Sequence, residues 1–279
     1  MTERKKTTIP DIKARKKSDT PITMLTAYDY PWALLVDRAG IDMILVGDSL
    51  GMVVLGYEDT ISVTLDEMIH HIKAVTRAVR HALVVGDMPF GSYNVSVEKA
   101  VENATRIMKE ARADCVKLEG GLGMVPVVEA IVRAGIPVQG HIGLTPQTAS
   151  ALGGFKVQGK SAEAAKALVE DARALEKAGC FSLVLEAIPA PIAKMVTDAV
   201  SIPTIGIGAG IHCDGQVLVT HDLVGLFDRF VPKFVKQYAK ISDIAAEAFA
   251  QFKEDVEAGR FPEEGHSFTM KADELEKMG

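Results

Sequence analysis

The stretch LVVGDMPFGSYNVSVEKAVENATRIMKEARADCVKLEGG, residues 83–121, decides the fold. It opens on a branched apolar run ending in Asp87 and turns through Pro, Gly, Ser and Asn. An amphipathic stretch follows over 96–113, and the apolar run from Cys115 closes the unit. Apolar runs of this length are strands covered on both faces, and the stretch between them is the covering helix, so the unit is βα in a parallel sheet. The same grammar extends outward: ITMLTAYD (22–29) and MILVGDS (43–49) precede it, and PVQGHIGL (137–144), SLVLEAI (182–188) and IPTIGIGAG (202–210) follow. An eighth strand is expected within VLVTHDLVG (217–225). Helices are expected at 65–80, 124–134 and 161–178, with Gly135 and Gly179 as stops just past two of them. Eight units close an α/β (β/α)₈ TIM barrel, and an open doubly wound sheet, which uses five or six strands, is the alternative. No Pro-rich or Ser-rich linker divides the chain, which predicts one domain over 1–279, with a leading segment at 1–20 and a helical extension from about 238. Thr145 to Gly159, the longest irregular piece, reads as a mobile active-site loop.

Composition fits a globular protein: of 279 residues 48% are hydrophobic and 24% charged, with a net charge of −6. Disorder and collagen are excluded. No apolar run approaches the roughly 18 residues of a membrane span, and the N-terminus lacks the apolar core of a secretory signal, so a cytoplasmic protein without membrane partners is expected. Cys115, Cys180 and Cys213 lack metal-ligand spacing and read as buried or idle thiols. The first 17 residues hold seven basic and two acidic side chains. A solvated leading segment is expected there rather than a nucleic-acid arm.

The chemistry gathers where strands end. In a barrel the carboxyl ends of the strands form the catalytic face, and a buried strand has no structural use for an unpaired charge. Asp48, Asp87, Glu119 and Glu186 each end an apolar run, joined by Lys117 and His141. Carboxylates so gathered repel, and a raised pKa or a bound cation resolves this. With no Cys or multiple His in the set, a hard oxygen-seeking ion is expected, Mg²⁺ first, on Asp48 and Asp87 with Glu119 direct or through water. The competing reading is that each acid caps a helix or pairs with a base. Lys117 and Glu119 are two apart on a strand and share the interior face, where Lys117 would hold a carboxylate or enolate oxygen. Glu186, preceded by Leu183, Val184 and Leu185, is expected to be desolvated into a base. His141 is a site histidine or a satisfied core residue. The glycines of IGIGAG (205–210) do not match a dinucleotide fingerprint; they would admit a ligand or offer amides to an anion. His70 and His71 would sit on a solvated helix face. Metal, lysine and separate base together suit enolate formation from a 2-oxo acid, chemistry shared by lyases, mutases and transferases.

TAYDYPWA (26–33), LVGDSLGMVVLGY (45–57), VVGDMPFGSY (84–93), VKLEGG (116–121), GHIGLTPQ (140–147), LEAIP (185–189), GIGAG (206–210) and the closing FPEEGHSF (261–268) resemble the ketopantoate hydroxymethyltransferase family over nearly the whole chain. The resemblance implies a one-carbon transferase with one Mg²⁺ per subunit. It would use 5,10-methylenetetrahydrofolate as co-substrate and 3-methyl-2-oxobutanoate as acceptor, giving 2-dehydropantoate for pantothenate and coenzyme A synthesis. It also implies a homodecamer, a pentamer of dimers. By the same resemblance Asp48 and Asp87 are metal ligands with Glu119 completing the environment. Asp48, Ser49, Asp87 and Lys117 would hold the oxo acid, His141 would line the site, and Glu186 would accept the proton. The alternative is a relative of the phosphoenolpyruvate mutase and isocitrate lyase group, although neither Cys115, within a strand, nor Cys213, after the seventh, sits in a matching catalytic loop. A catalytically silent barrel acting as scaffold or sensor is the reading from another class.

Overall fold

In the computed structural model, which describes residues 4–149, 154, 156–227 and 229–278, eight parallel strands close into a barrel in chain order. The strands are β1 (Ile22–Thr26), β2 (Met43–Val46), β3 (Leu83–Asp87), β4 (Cys115–Glu119), β5 (Val138–Gly143), β6 (Ser182–Glu186), β7 (Thr204–Ile207) and β8 (Gly215–Leu218), and β8 pairs with β1 to leave no edge. An outer layer of helices covers them: α2 (Tyr30–Arg38), α4 (Leu65–Ala78), α5 (Val97–Ala111), α6 (Val125–Arg133), α7 (Ala162–Ala178) and α8 (Ala190–Ala199). A short α1 (Ile9–Ala14) precedes the barrel, α3 (Leu50–Val53) follows β2, α9 (Thr220–Leu223) follows β8, and α10 (Ile241–Glu257) and α11 (Ala272–Glu276) end the chain. No described helix is long and apolar enough to cross a membrane.

Helix boundaries follow local chemistry. Thr64 and Glu67 form a reciprocal capping box at the start of α4, and the Ser96 and Ser161 hydroxyls accept from the first turns of α5 and α7. Gly179, at φ 107°, ends α7 in the left-handed conformation that a side chain would disfavour. Alternation along each strand then sorts the core. Val84, Val116, Leu118, Leu183 and Leu185 pack outward on the helices, whereas Leu83, Val85, Cys115, Val184 and Ile205 fill the barrel. The interior grades from this apolar floor, through the fully buried Gln139–Ser182 hydrogen bond of 2.9 Å, to charged side chains at the mouth.

Three expectations are revised. The eighth strand exists but spans Gly215–Leu218, because the expected run continues into helical α9 after two residues. Of Thr145 to Gly159, only part falls in the described residues, where Pro146–Thr148 forms a 3₁₀ turn that buries Gln147; residues 150–153 and 155 lie outside them. The leading segment is docked rather than solvated. Ile12, 1% exposed, joins the inner core from below. Lys6 Nζ lies 2.7 Å from Asp114 Oδ2, and Lys16 Nζ donates to Asp214 Oδ2 at 2.9 Å. Its positive charge therefore meets acids at the amino-terminal rim of the barrel, a match that composition alone could not reveal.

Removing a buried aliphatic side chain leaves a cavity and loses transfer free energy, about 2–5 kcal/mol for Ile→Ala. Ile12→Ala should therefore lower stability by about 2–4 kcal/mol in chemical denaturation. A solvated leader would show no change.

Candidate active site

Alternation and register bring distant residues to one mouth. Asp87, Lys117, Glu119, His141 and Glu186 are inward residues on β3 to β6, and pairing sets Asp87 beside Lys117 and Glu119 beside His141. Lys117 Nζ donates to both oxygens of Asp87, at 2.7 and 2.8 Å, and stands 3.9 Å from Glu119 Oε1. Glu119 Oε1 is 3.3 Å from His141 Nδ1, and Glu186 Oε2 is 3.2 Å from His141 Nε2. These two contacts are close enough for ion pairing but too poorly aligned for hydrogen bonds. Asp48, two residues past β2, closes the cluster by donating its N–H to Asp87 Oδ2 at 3.3 Å. The next residue, Ser49, has its hydroxyl 2.8 Å from the Tyr28 phenol oxygen.

Asp48, Asp87, Lys117, Glu119 and His141 are nearly sealed from water, and burial opposes every charge. Asp48 is held well above the usual carboxylate range, by burial first and then by Asp87 and Glu119. Burial also raises Asp87, against the pull of Lys117. For Glu119 burial is outweighed by His141, Lys117 and the Gln147 N–H, which bring it below its ordinary value. His141 is opposed by burial and by Lys117, yet Glu119 and Glu186 lift it to about 9, so the ring is cationic at neutral pH. Lys117 likewise overcomes burial through Asp87, Glu119 and Asp48 and keeps its proton.

Two residues not singled out from the sequence join the cluster. The Gln147 side-chain amide donates to Asp48 Oδ2 at 2.8 Å and to the Met88 carbonyl at 3.0 Å, and its backbone N–H donates to Glu119 Oε2 at 3.1 Å. The Tyr93 hydroxyl donates to Gln147 Oε1 at 2.6 Å. Both lie in motifs already quoted, GHIGLTPQ and VVGDMPFGSY, but no charge or strand-end position marked them.

The donor set fits a hard divalent cation. Asp48 and Asp87 are two buried carboxylates raised by burial, and among the described residues Asp48 Oδ1 receives no hydrogen bond. Among those residues no three His, Cys, Asp or Glu side chains converge tightly enough to hold an ion by themselves. An ion here would complete its shell with water or substrate oxygens, the habit of Mg²⁺. The acids are not helix caps: the N-cap of α3 is Ser49, and the Asp48 carboxylate accepts from Gln147 instead.

Other expectations find different places. Leu183 and Leu185 point away from Glu186 into the outer core, and the Glu186 side chain is 17% exposed beside His141. The inward apolar side chains near the mouth are Leu45 and Ile207. The IGIGAG glycines make room for the protein itself: a Cβ on Gly206 would lie 2.9 Å from Cys213 Sγ, and one on Gly208 would lie 2.7 Å from the Phe234 ring. His70 is exposed, but His71 is half-buried with Nδ1 2.7 Å from the Tyr28 carbonyl. All three cysteines are buried and free.

Comparison with known proteins separates family from fold. Among solved structures the chain is similar to a phosphonopyruvate hydrolase, with a TM-score of 0.60 and 13% identity, covering 98% of this chain and 94% of that one. It is also similar to a 2,3-dimethylmalate lyase described as a PEP mutase/isocitrate lyase superfamily member, with a TM-score of 0.56 and 14% identity over 96% and 93% of the two chains. These likenesses establish the barrel alone. In sequence the chain is 59% identical over 271 residues to the 3-methyl-2-oxobutanoate hydroxymethyltransferase of Syntrophobacter fumaroxidans, covering 97% of this chain and 96% of that protein. It is 60% identical over 268 residues to the enzyme of that name from Moorella thermoacetica, covering 96% and 100%. The profile described as ketopantoate hydroxymethyltransferase matches residues 6–264, and the chain belongs to that family.

Proposed function

We propose that this chain transfers a hydroxymethyl group from 5,10-methylenetetrahydrofolate to 3-methyl-2-oxobutanoate, giving 2-dehydropantoate and tetrahydrofolate. Family membership supports the reaction. The observation that carries the site assignment is the unbroken run of contacts Asp48–Asp87–Lys117–Glu119–His141–Glu186 at one end of the barrel. Overall, a C–H bond of the acceptor and both C–N bonds that hold the one-carbon unit on the folate break, a C–C bond forms, water supplies the hydroxyl, and the acceptor's proton and the remaining water proton go to the two folate nitrogens.

Asp48 and Asp87 would hold Mg²⁺, with Glu119 direct or through water. When bound, such an ion polarises the ketone and stabilises an enolate by several kcal/mol. Lys117 fixes the Asp87 carboxylate through both oxygens and brings a permanent positive charge to the oxo acid's anionic end. Ser49, braced by Tyr28, would give the same end a hydroxyl. Glu186 would take the proton from the branched carbon. It is the most exposed acid of the set, and cationic His141 holds its Oε2 while Oε1 remains available. Ile207 is register partner to Glu186 and also faces inward, so an apolar surface for the acceptor's methyl groups stands next to the base. Assembly into a pentamer of dimers belongs to the same reading. It is supported by α10, which buries none of its residues and leaves Phe249, Phe252 and Val256 exposed.

Three measurements test this. Turnover of 3-methyl-2-oxobutanoate with methylenetetrahydrofolate should stop in EDTA and return with added Mg²⁺; activity indifferent to EDTA removes the metal, and absence of turnover removes the reaction. Glu186→Gln should still bind the oxo acid but lose exchange of its branched-carbon proton with deuterated water by about 10²- to 10⁴-fold, the worth of a positioned base. Undiminished exchange assigns the base elsewhere. Asp87→Ala should weaken Mg²⁺ binding by more than the roughly 10–100-fold that follows loss of an outer partner. An unchanged titration excludes Asp87 from the metal shell.

A further inference from the structure

We infer that Gln147 is a positioning residue that fixes Asp48 and Glu119 for metal and oxo-acid binding, with Tyr93 and the Met88 carbonyl together fixing the direction in which its amide points. The inference rests on the metal reading above and adds a part that reading does not use. Gln147 is 1% exposed on the turn after β5, 99 residues along the chain from Asp48. Both ends of its amide are nevertheless hydrogen-bonded. Nε2 donates to Asp48 Oδ2 and the Met88 carbonyl, and Oε1 accepts from Tyr93.

The orientation of an amide is a question of hydrogen-bond logic, because its oxygen and nitrogen have similar shapes. Here the logic has one solution. The Met88 carbonyl can only accept, so the amide atom 3.0 Å from it is Nε2, and the phenolic proton of Tyr93, whose oxygen already accepts from the Glu119 backbone N–H at 3.2 Å, goes to Oε1. Gln147 must present Oε1 to Tyr93 and therefore Nε2 to Asp48. A relay runs from the β4 backbone through Tyr93 and Gln147 to a carboxylate after β2, while the Gln147 backbone N–H restrains Glu119 itself.

The residue type follows from charge. Gln147 already touches the buried carboxylates of Asp48 and Glu119, with Asp87 beside them, so a glutamate at 147 would add repulsion and remove the donor. A lysine would introduce a cation that competes with the ion. A neutral amide stabilises one Asp48 oxygen without cancelling its charge, and it leaves Oδ1 for a ligand. Partners one bond removed from a metal ligand commonly change affinity by about 10–100-fold.

Mn²⁺ binding followed by electron paramagnetic resonance tests this without turnover, alongside kinetics for each substrate. Gln147→Met keeps the side-chain volume and removes every side-chain hydrogen bond. It should weaken Mn²⁺ binding at least ~10-fold and raise KM for the oxo acid while KM for the folate donor stays near the parent's. Tyr93→Phe leaves the amide and its bonds to Asp48 and Met88 but removes the donor that holds Oε1, and a smaller loss of the same kind is expected. Its thermal transition, matching the parent's, separates this effect from unfolding. Parental Mn²⁺ affinity in both variants overturns the role of Gln147 and Tyr93 while leaving the metal reading intact. If the parent itself binds no Mn²⁺, the metal reading falls first and this inference falls with it.

Discussion

Three carboxylates, Asp48, Asp87 and Glu119, are out of water within one barrel mouth, and the buried cations among them are two, Lys117 and His141. Each cation has two acidic neighbours: Lys117 touches Asp87 and lies within reach of Glu119, and His141 stands between Glu119 and Glu186. Buried ions persist only when paired with good geometry, and Asp48 is the member left without a cation. The amide of Gln147 reduces the imbalance without removing it. That residual demand for positive charge is the constraint to which the rest of the site answers, and it matches what a divalent ion supplies.

The barrel makes such a cluster tolerable by placing it at one end of an otherwise dry interior. Below the mouth, Leu83, Val85, Cys115 and Ile205 fill the lumen, and Ile12 closes it from the opposite side. Asp114 and Asp214 occupy the amino-terminal rim, but they meet Lys6 and Lys16 from the leader. The two rims thus handle acidic residues differently. At the lower rim partners come from the chain itself and the charges are settled; at the upper rim they are left partly unsettled, where a ligand can enter. The leader and the site are opposite outcomes of the same electrostatic problem.

Much of this was legible because a parallel barrel converts period into position. Lys117 and Glu119 alternate with Val116 and Leu118, and that pattern alone put both charges inside. Asp48, Asp87, Glu119 and Glu186 were readable because a charge at the end of an apolar run needs a reason. The same alternation defeats a reading by proximity in sequence: Leu183 and Leu185 adjoin Glu186 in the chain yet point into the other layer. Gln147 and Tyr93 carried no such mark, since an uncharged polar residue in a loop is ordinary and their importance is a matter of meeting Asp48 and Glu119 in space. Docking of the leader was hidden for the same reason, as seven basic residues in seventeen look the same whether solvated or paired.

Chemistry separates this chain from its structural neighbours where the fold does not. A barrel at 13% identity to phosphonopyruvate hydrolase shares the fold, and nothing in the fold dictates which bond is broken. In this chain the decision falls to what faces the acid cluster. Glu186 is partly exposed at the mouth and stands against the His141 imidazole, beside the inward side chain of Ile207. A carboxylate placed between a cation and an apolar wall suits removal of a proton from an alkyl carbon better than stabilisation of a departing anionic group, which would need further donors at that position. On the proposed reading the acceptor would be met from β6 and β7, away from the acids that would bind the ion.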